Sequence, residues 1–136
     1  MHRRKFIAVC TAAAILPGAL WAGAAPYTNG LVKRDLAAGK TVFLDFAASW
    51  CITCKAQERV IKALQAANPA YQKHISFIRV DWDTYKTAAL TKHLNVQNRS
   101  TLVVLKGDKE IGRAVAITGK RRIKALMDAA LAAAKA

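Results

Sequence analysis

Along the chain the spacing of apolar positions changes several times, and each change marks an element. Thr41 to Phe46, TVFLDF, is a short run of β-forming residues with no alternation except at Asp45, the pattern of a strand buried on both faces. From Cys51 to Ala67 there is neither Gly nor Pro. Val60, Ile61, Leu64 and Ala67 recur there at helical spacing, so a helix is predicted up to Asn68-Pro69. HISFIRVDW, His74 to Trp82, reads as a second apolar strand. Asp83 is placed to cap a helix on which Ala88, Ala89, Leu90 and Leu94 share a face. STLVVLKGDKEIGRAVAI predicts two strands joined by a turn at Gly107-Asp108. After a break at Gly119, Ile123, Leu126, Met127, Ala130 and Leu131 form the stripe of a final helix. At the front, Ala25 to Asn29 reads as a short leader and LVKRDLAAGK as a helical turn stopped by Gly39.

The predicted order is β-α-β-α-β-β-α. The first strand, helix and strand imply a right-handed crossover with parallel pairing, whereas the tight hairpin demands an antiparallel pair. An α/β domain with a mixed sheet and helices on both faces follows. At 136 residues the chain has room for one such domain with a real core.

The first two dozen residues do not share this patterning. MHRRKF is a basic start, IAVCTAAAILPGALWA is apolar but short for a bilayer span, and Ala22-Gly23-Ala24 has the small-x-small form of a cleavage site. Residues 1–24 are therefore expected to be an export signal cut near Ala24, leaving residues 25–136 as the domain. Arg3-Arg4-Lys5-Phe6-Ile7 also fits a twin-arginine signal. The expected location is the periplasm.

Removing that segment changes the charge and the cysteine inventory. The whole chain carries 22 Lys and Arg against 8 Asp and Glu, and the shortened chain keeps a net charge of +11. Basic residues are spread out, with one cluster at Lys120, Arg121, Arg122 and Lys124. Such a balance suits an acidic protein or an anionic surface, and a binding module for an acidic partner is one reading. Basic and aromatic residues are not interleaved as a base-stacking surface requires, which argues against nucleic acid.

Only Cys51 and Cys54 remain, in a compartment where disulfides persist. Cys51 falls at the start of the long helix, where unpaired N–H groups and the helix dipole favour a thiolate. Cys54 lies three residues on, on the same face, close enough to close a disulfide. Cys51 is thus the expected nucleophile and Cys54 the resolving thiol. Half of a Zn or Cu(I) site has the same spacing, so a metal-binding module stays open, although His74, His93 and scattered carboxylates supply no second paired motif.

FLDFAASWCITCK resembles the active-site segment of the thioredoxin superfamily, in which a strand ending in Asp-Phe leads through Trp-Cys-x-x-Cys-Lys into a helix. VDWDTYKTAALTKHLNV is similar to the superfamily's second strand and helix, STLVVLKGDKEI to its hairpin, and Gly119 onward to its last helix. The WCITCK box and the VDW strand end look most like the C-terminal, periplasm-facing thioredoxin-like domain of the transmembrane disulfide reductase DsbD. The resemblance implies a thioredoxin fold and dithiol-disulfide exchange on exported proteins, as a reductase or electron carrier. It also implies no organic cofactor, no metal, a membrane electron donor and a monomer. Asp45 matches the superfamily's buried acid, whose raised pKa lets it shuttle the Cys54 proton. Trp50, Ile52, Thr53, Arg99, Ser100 and Thr101 match the substrate-docking surface.

Two departures carry information. Ile52-Thr53 stands where strong oxidants of the superfamily have Pro-His, which favours electron donation. Ser100 stands where the superfamily has a cis-proline. A cis bond before Ser costs about 3–4 kcal/mol against about 0.5–1 before Pro, so a trans bond is expected, with a changed docking loop.

Overall fold

The computed structural model describes residues 23–136, so the expected export signal lies outside the described residues apart from Gly23 and Ala24. Five strands are present: β1 (Ala25–Pro26), β2 (Thr41–Ala47), β3 (Ile75–Asp81), β4 (Thr101–Lys106) and β5 (Lys109–Val115). The helices are α1 (Leu31–Ala37), α2 (Ile52–Ala67), α3 (Ala70–His74), α4 (Trp82–Tyr85), α5 (Ala89–His93) and α6 (Lys120–Lys135). The strands form one sheet in the order β1-β3-β2-β4-β5. β2 runs parallel to β3 and antiparallel to β4, and β4 is antiparallel to β5, so the mixed sheet is as expected.

β2 is the middle strand, and all seven of its residues are buried. Alternate side chains of β2 enter two separate cores. Phe43 joins Ile61 and Leu64 of α2 and Ile123, Met127 and Ala130 of α6. Val42, Leu44 and Phe46 join Val32 of α1, with Leu90 and Leu94 packed against them. A strand that must satisfy apolar neighbours on both sides has no solvent face, which is why its sequence shows no alternation. Asp45 shares the parity of Phe43 and therefore points toward α2.

Several boundaries differ from the sequence reading. Cys51 caps α2 instead of lying in its first turn: its backbone is extended, and its sulfur accepts the Cys54 N–H at 3.2 Å. The helix after β3 is capped by Asp81, whose carboxylate accepts the Thr84 N–H at 3.1 Å, so Asp83 is not the cap. One helix was expected there and two short ones are found, α4 and α5, separated at Ala88 by extended backbone. His74 ends α3, a helical turn with no sequence signal strong enough to predict it, and Trp82 begins α4. Ala25–Pro26, read as a leader, pairs with β3 at the sheet edge, a position where the missing proline N–H is harmless. Gly39 and Gly107 adopt φ values of 80° and 59° at the two turns where chain breaks were expected.

Candidate functional site

The reactive end of the molecule lies where β2 runs out. Beyond Ala47 the chain turns through Ala48 to Trp50, and Cys51 opens α2; Ala47, Ala48 and both cysteines form a small buried cluster with Trp82 packed against it. Both thiols are free and buried, Cys51 at 4% exposure and Cys54 at 0%. Burial works against a thiolate on Cys51. Hydrogen bonds from the Cys54 side chain, the Ser100 hydroxyl, the Cys54 amide and Arg99 outweigh it and bring the thiol down from its ordinary 9.0 to about 7. Burial, and next the neighbouring Cys51, push Cys54 up. The expected division of labour between nucleophile and resolving thiol therefore has an electrostatic basis.

Ser100 sits directly over the pair. Its Oγ lies 3.2 Å from Cys51 Sγ and 3.1 Å from Cys54 Sγ. No peptide bond among the described residues is cis, so the Arg99–Ser100 bond is trans as its cost predicts. Ser100 instead takes φ of 60°, a left-handed conformation that costs a non-glycine residue about 1–3 kcal/mol. Its amide donates to the Phe46 carbonyl at 2.7 Å, and its carbonyl accepts from the Ala116 amide at 2.8 Å and from Gln57 Nε2 at 3.0 Å. Gln57 is fully buried one turn after Cys54 and also donates to the Ile117 carbonyl. The sequence reading missed Gln57; a polar side chain at helical spacing with Cys54, Ile61 and Leu64 was the available signal.

The expected docking residues separate into two groups. Trp50 is 56% exposed and Ile52 81%, flanking Cys51 in the chain. Trp50 Nε1 donates to Asp83 at 3.0 Å, and the Arg99 guanidinium lies 4.6 Å over the indole ring. Asp83 was thus expected as a helix cap and instead orients the tryptophan. Thr53 is half-buried, and Ser100 is buried over the cysteines. Thr101 does not belong on a docking surface: it is 2% exposed, and its hydroxyl turns inward to the Asn98 carbonyl at 2.7 Å. As the first residue of β4 it pairs with Phe46 on one side and Val115 on the other. Val115, unremarked in the sequence, is the residue this pairing presents at the surface, 47% exposed.

Asp45 is buried and makes no hydrogen bond to either cysteine; its Oδ1 has no partner within the protein. It lines a cavity of about 70 Å³ with Glu58, Lys62 and Arg79, room for about two waters. Arg79 and Lys62 both pair with Glu58, at 3.3 and 2.7 Å. Burial raises the Asp45 pKa from 3.8 to about 7, with Arg79 opposing and Glu58 adding to the rise. Among the described residues no group of three or more His, Cys, Asp or Glu comes together as a metal cage.

The comparisons agree with this geometry. The thioredoxin family model matches residues 26–130. The chain belongs to the thioredoxin family. It is similar to a thioredoxin of Chlamydia trachomatis, 34% identical over 86 residues that make up 63% of this chain and 78% of that protein. A tobacco (Nicotiana tabacum) thioredoxin H-type 1 is 33% identical over 64% of each chain. Among solved structures, Trxlp from Edwardsiella tarda superposes with a TM-score of 0.63 at 34% identity, over 76% of this chain and 93% of that one. Thioredoxin NaTrxh from Nicotiana alata, at 24% identity over 78% of this chain and 90% of that one, with a TM-score of 0.62, shares the fold. The thioredoxin-family site is a thiol-disulfide oxidoreductase centre that carries its electrons in Cys51 and Cys54 and needs no cofactor.

Two outcomes follow from the electrostatics. Alkylation of the reduced protein by iodoacetamide should rise with a midpoint near pH 7, where Cys51 ionises, and a midpoint near 9 would contradict the hydrogen-bonded thiolate. For Asp45 the folded pKa lies above the unfolded one, so its contribution to stability is intact below 3.8 and is lost as pH rises through about 7. Urea unfolding should therefore show Asp45→Asn gaining on the parent protein between pH 4 and pH 8, by up to about 4 kcal/mol. A difference independent of pH would mean that Asp45 is not a buried, protonated acid.

Proposed function

We propose that this protein reduces disulfides in exported proteins, or carries electrons to them, in the periplasm. The observation that carries the direction is the Cys51 thiol at about 7, the value typical of thioredoxin and far above the roughly 3.5 of a strongly oxidising site. The absence of a histidine between the cysteines points the same way. Cys51 attacks the substrate disulfide, releasing one substrate thiolate and forming a mixed disulfide. Cys54, once deprotonated, attacks Cys51, releases the second substrate thiolate and leaves the Cys51–Cys54 disulfide. Asp45, which titrates at about 7 and faces a cavity with room for water, is in its ionised form the acceptor for the Cys54 proton.

Docking uses the exposed ring of Trp50, Ile52 and Val115, with Arg99 at its rim. The Arg99 amide and carbonyl make no hydrogen bond among the described residues, so an extended substrate can add there as a strand. Export rests on the basic start and apolar segment of residues 1–22 and on the small residues at 22–24. A cut after Ala24 would remove the Gly23 carbonyl, to which Gln65 Nε2 donates at 2.8 Å, and would uncover the cavity beside Asp45. The resemblance of WCITCK and VDW to the periplasmic domain of DsbD supports a membrane protein as electron donor to a monomeric carrier. The basic cluster at the start of α6 is exposed, and Lys124 pairs with Asp128 at 2.8 Å; an acidic-partner module remains the second reading of that surface.

The deciding experiment equilibrates residues 25–136 with glutathione and dithiothreitol. A Cys51/Cys54 potential nearer −270 mV than −120 mV is expected, and a value near −120 mV would reverse the direction. In the same assay Cys54→Ser should accumulate a stable mixed disulfide with substrate, while Cys51→Ser should form none.

A further inference from the structure

Ser100 is held by more of the structure than a merely tolerated residue needs. All its backbone polar groups are engaged, its φ of 60° is strained, and the single group left over, the hydroxyl, is aimed between two sulfurs. Strain retained at a reactive site is a pointer to function. Proline, the residue the superfamily places here, fits neither feature: its ring fixes φ near −65°, and it has no N–H to give to the Phe46 carbonyl. The serine has therefore not just lost a ring. It belongs to a different loop geometry that brings a hydroxyl where a ring would shield the thiols.

We propose that the Ser100 hydroxyl is a working member of the dithiol centre, donating its hydrogen bond to Cys51 and accepting one from Cys54, and so stabilising the dithiol against the disulfide. A hydroxyl has one proton, and the two short contacts, 3.2 and 3.1 Å, give it one acceptor and one donor. The chain then runs from the Cys54 S–H through the Ser100 O–H to the Cys51 thiolate, with the Cys54 amide as the second donor to that thiolate at 3.2 Å. When a substrate disulfide oxidises the pair, two electrons and the Cys54 proton leave and the two sulfurs bond. The substrate takes up the two electrons and that one proton, leaving as one thiol and one thiolate. The hydroxyl loses its thiolate acceptor and its thiol donor together, in a site where Ser100 and both cysteines are buried, so the oxidised form is the one penalised.

The other charged or titratable groups near Cys51 are few, which makes the effect separable. Arg99 reaches it from the loop before β4, and Cys54 faces it from α2. β2 offers only apolar Ala47 beneath, with Asp45 deeper and unbonded to the sulfurs. From α4, Trp82 packs against the cluster, and Asp83 is occupied by Trp50. The inference rests on the dithiol-exchange reading, and its test separates the two.

The informative variant is Ser100→Gly, which deletes the hydroxyl while accepting φ of 60° without strain. The expected result is a Cys51 alkylation midpoint about one pH unit higher, together with an equilibrium with dithiothreitol shifted about tenfold toward the disulfide. That corresponds to a potential about 30 mV lower. Ser100→Ala should move both readings the same way. In the unaltered protein the Ser100 Cβ resonance should titrate with the Cys51 midpoint and lose that titration on oxidation, a reading that needs no variant to fold. A folded glycine variant with unchanged midpoint and potential, or a Cβ resonance blind to Cys51, overturns the role of Ser100 and leaves the exchange activity standing. Absence of any reversible two-electron transition in the unaltered protein overturns both.

Discussion

The hydrogen bond from the Ser100 amide to the Phe46 carbonyl, 2.7 Å, governs the geometry of the whole reactive end. It joins the end of the central strand to the residue before β4, just where the β2–β4 ladder begins at Phe46 and Thr101. Phe46 is fixed by the core on one face of the sheet, and α2 by the core on the other, so a loop tied to Phe46 is also placed relative to the N-terminus of α2. Gln57 closes the same arrangement from the helix side, linking α2 to Ser100 and Ile117. Three segments distant in sequence thus meet within hydrogen-bond reach of two sulfurs.

The two carbonyl-directed anchors explain how a strained residue persists. A left-handed serine is unfavourable alone, but here both its N–H and its C=O are partnered, and leaving two such buried groups unpaired would cost at least as much as the strain. The same economy appears in reverse at Asp45, where a buried oxygen lacks a protein partner and the carboxyl stays protonated to about pH 7 instead. One polar group is satisfied and rigid, and the other is unsatisfied and titratable. Structure and proton chemistry divide between them.

The fold was legible in the sequence to the extent that burial is continuous along an element. TVFLDF could be recognised as a doubly buried strand, and the stripe from Ile123 to Leu131 as a helix, because their apolar residues repeat over enough positions to outweigh local variation. The short pieces were not legible. α3, β1 and the break between α4 and α5 span too few residues for any period to show. Of the site, the closeness of Cys51 and Cys54, the burial of Asp45 and the exposure of Trp50 and Ile52 were legible in the sequence. Thr101 was matched to the docking surface by resemblance, which carries no information on which way its side chain turns, and Asp83 was taken for the cap because two acids near a helix start both qualify.

The sequence by itself determined the chemistry available: a close thiol pair opening a helix, an acid in a buried strand, and a serine where a proline would fix the loop. Those are properties of residue type and local spacing, which a linear chain carries in full. Only the tertiary structure decided how they combine. That the serine hydroxyl lies within 3.2 Å of both sulfurs, and that the acid faces a cavity instead of a thiol, depends on packing between segments some 50 residues apart. Distances of that kind are set by the shape of two cores, and no local pattern encodes them.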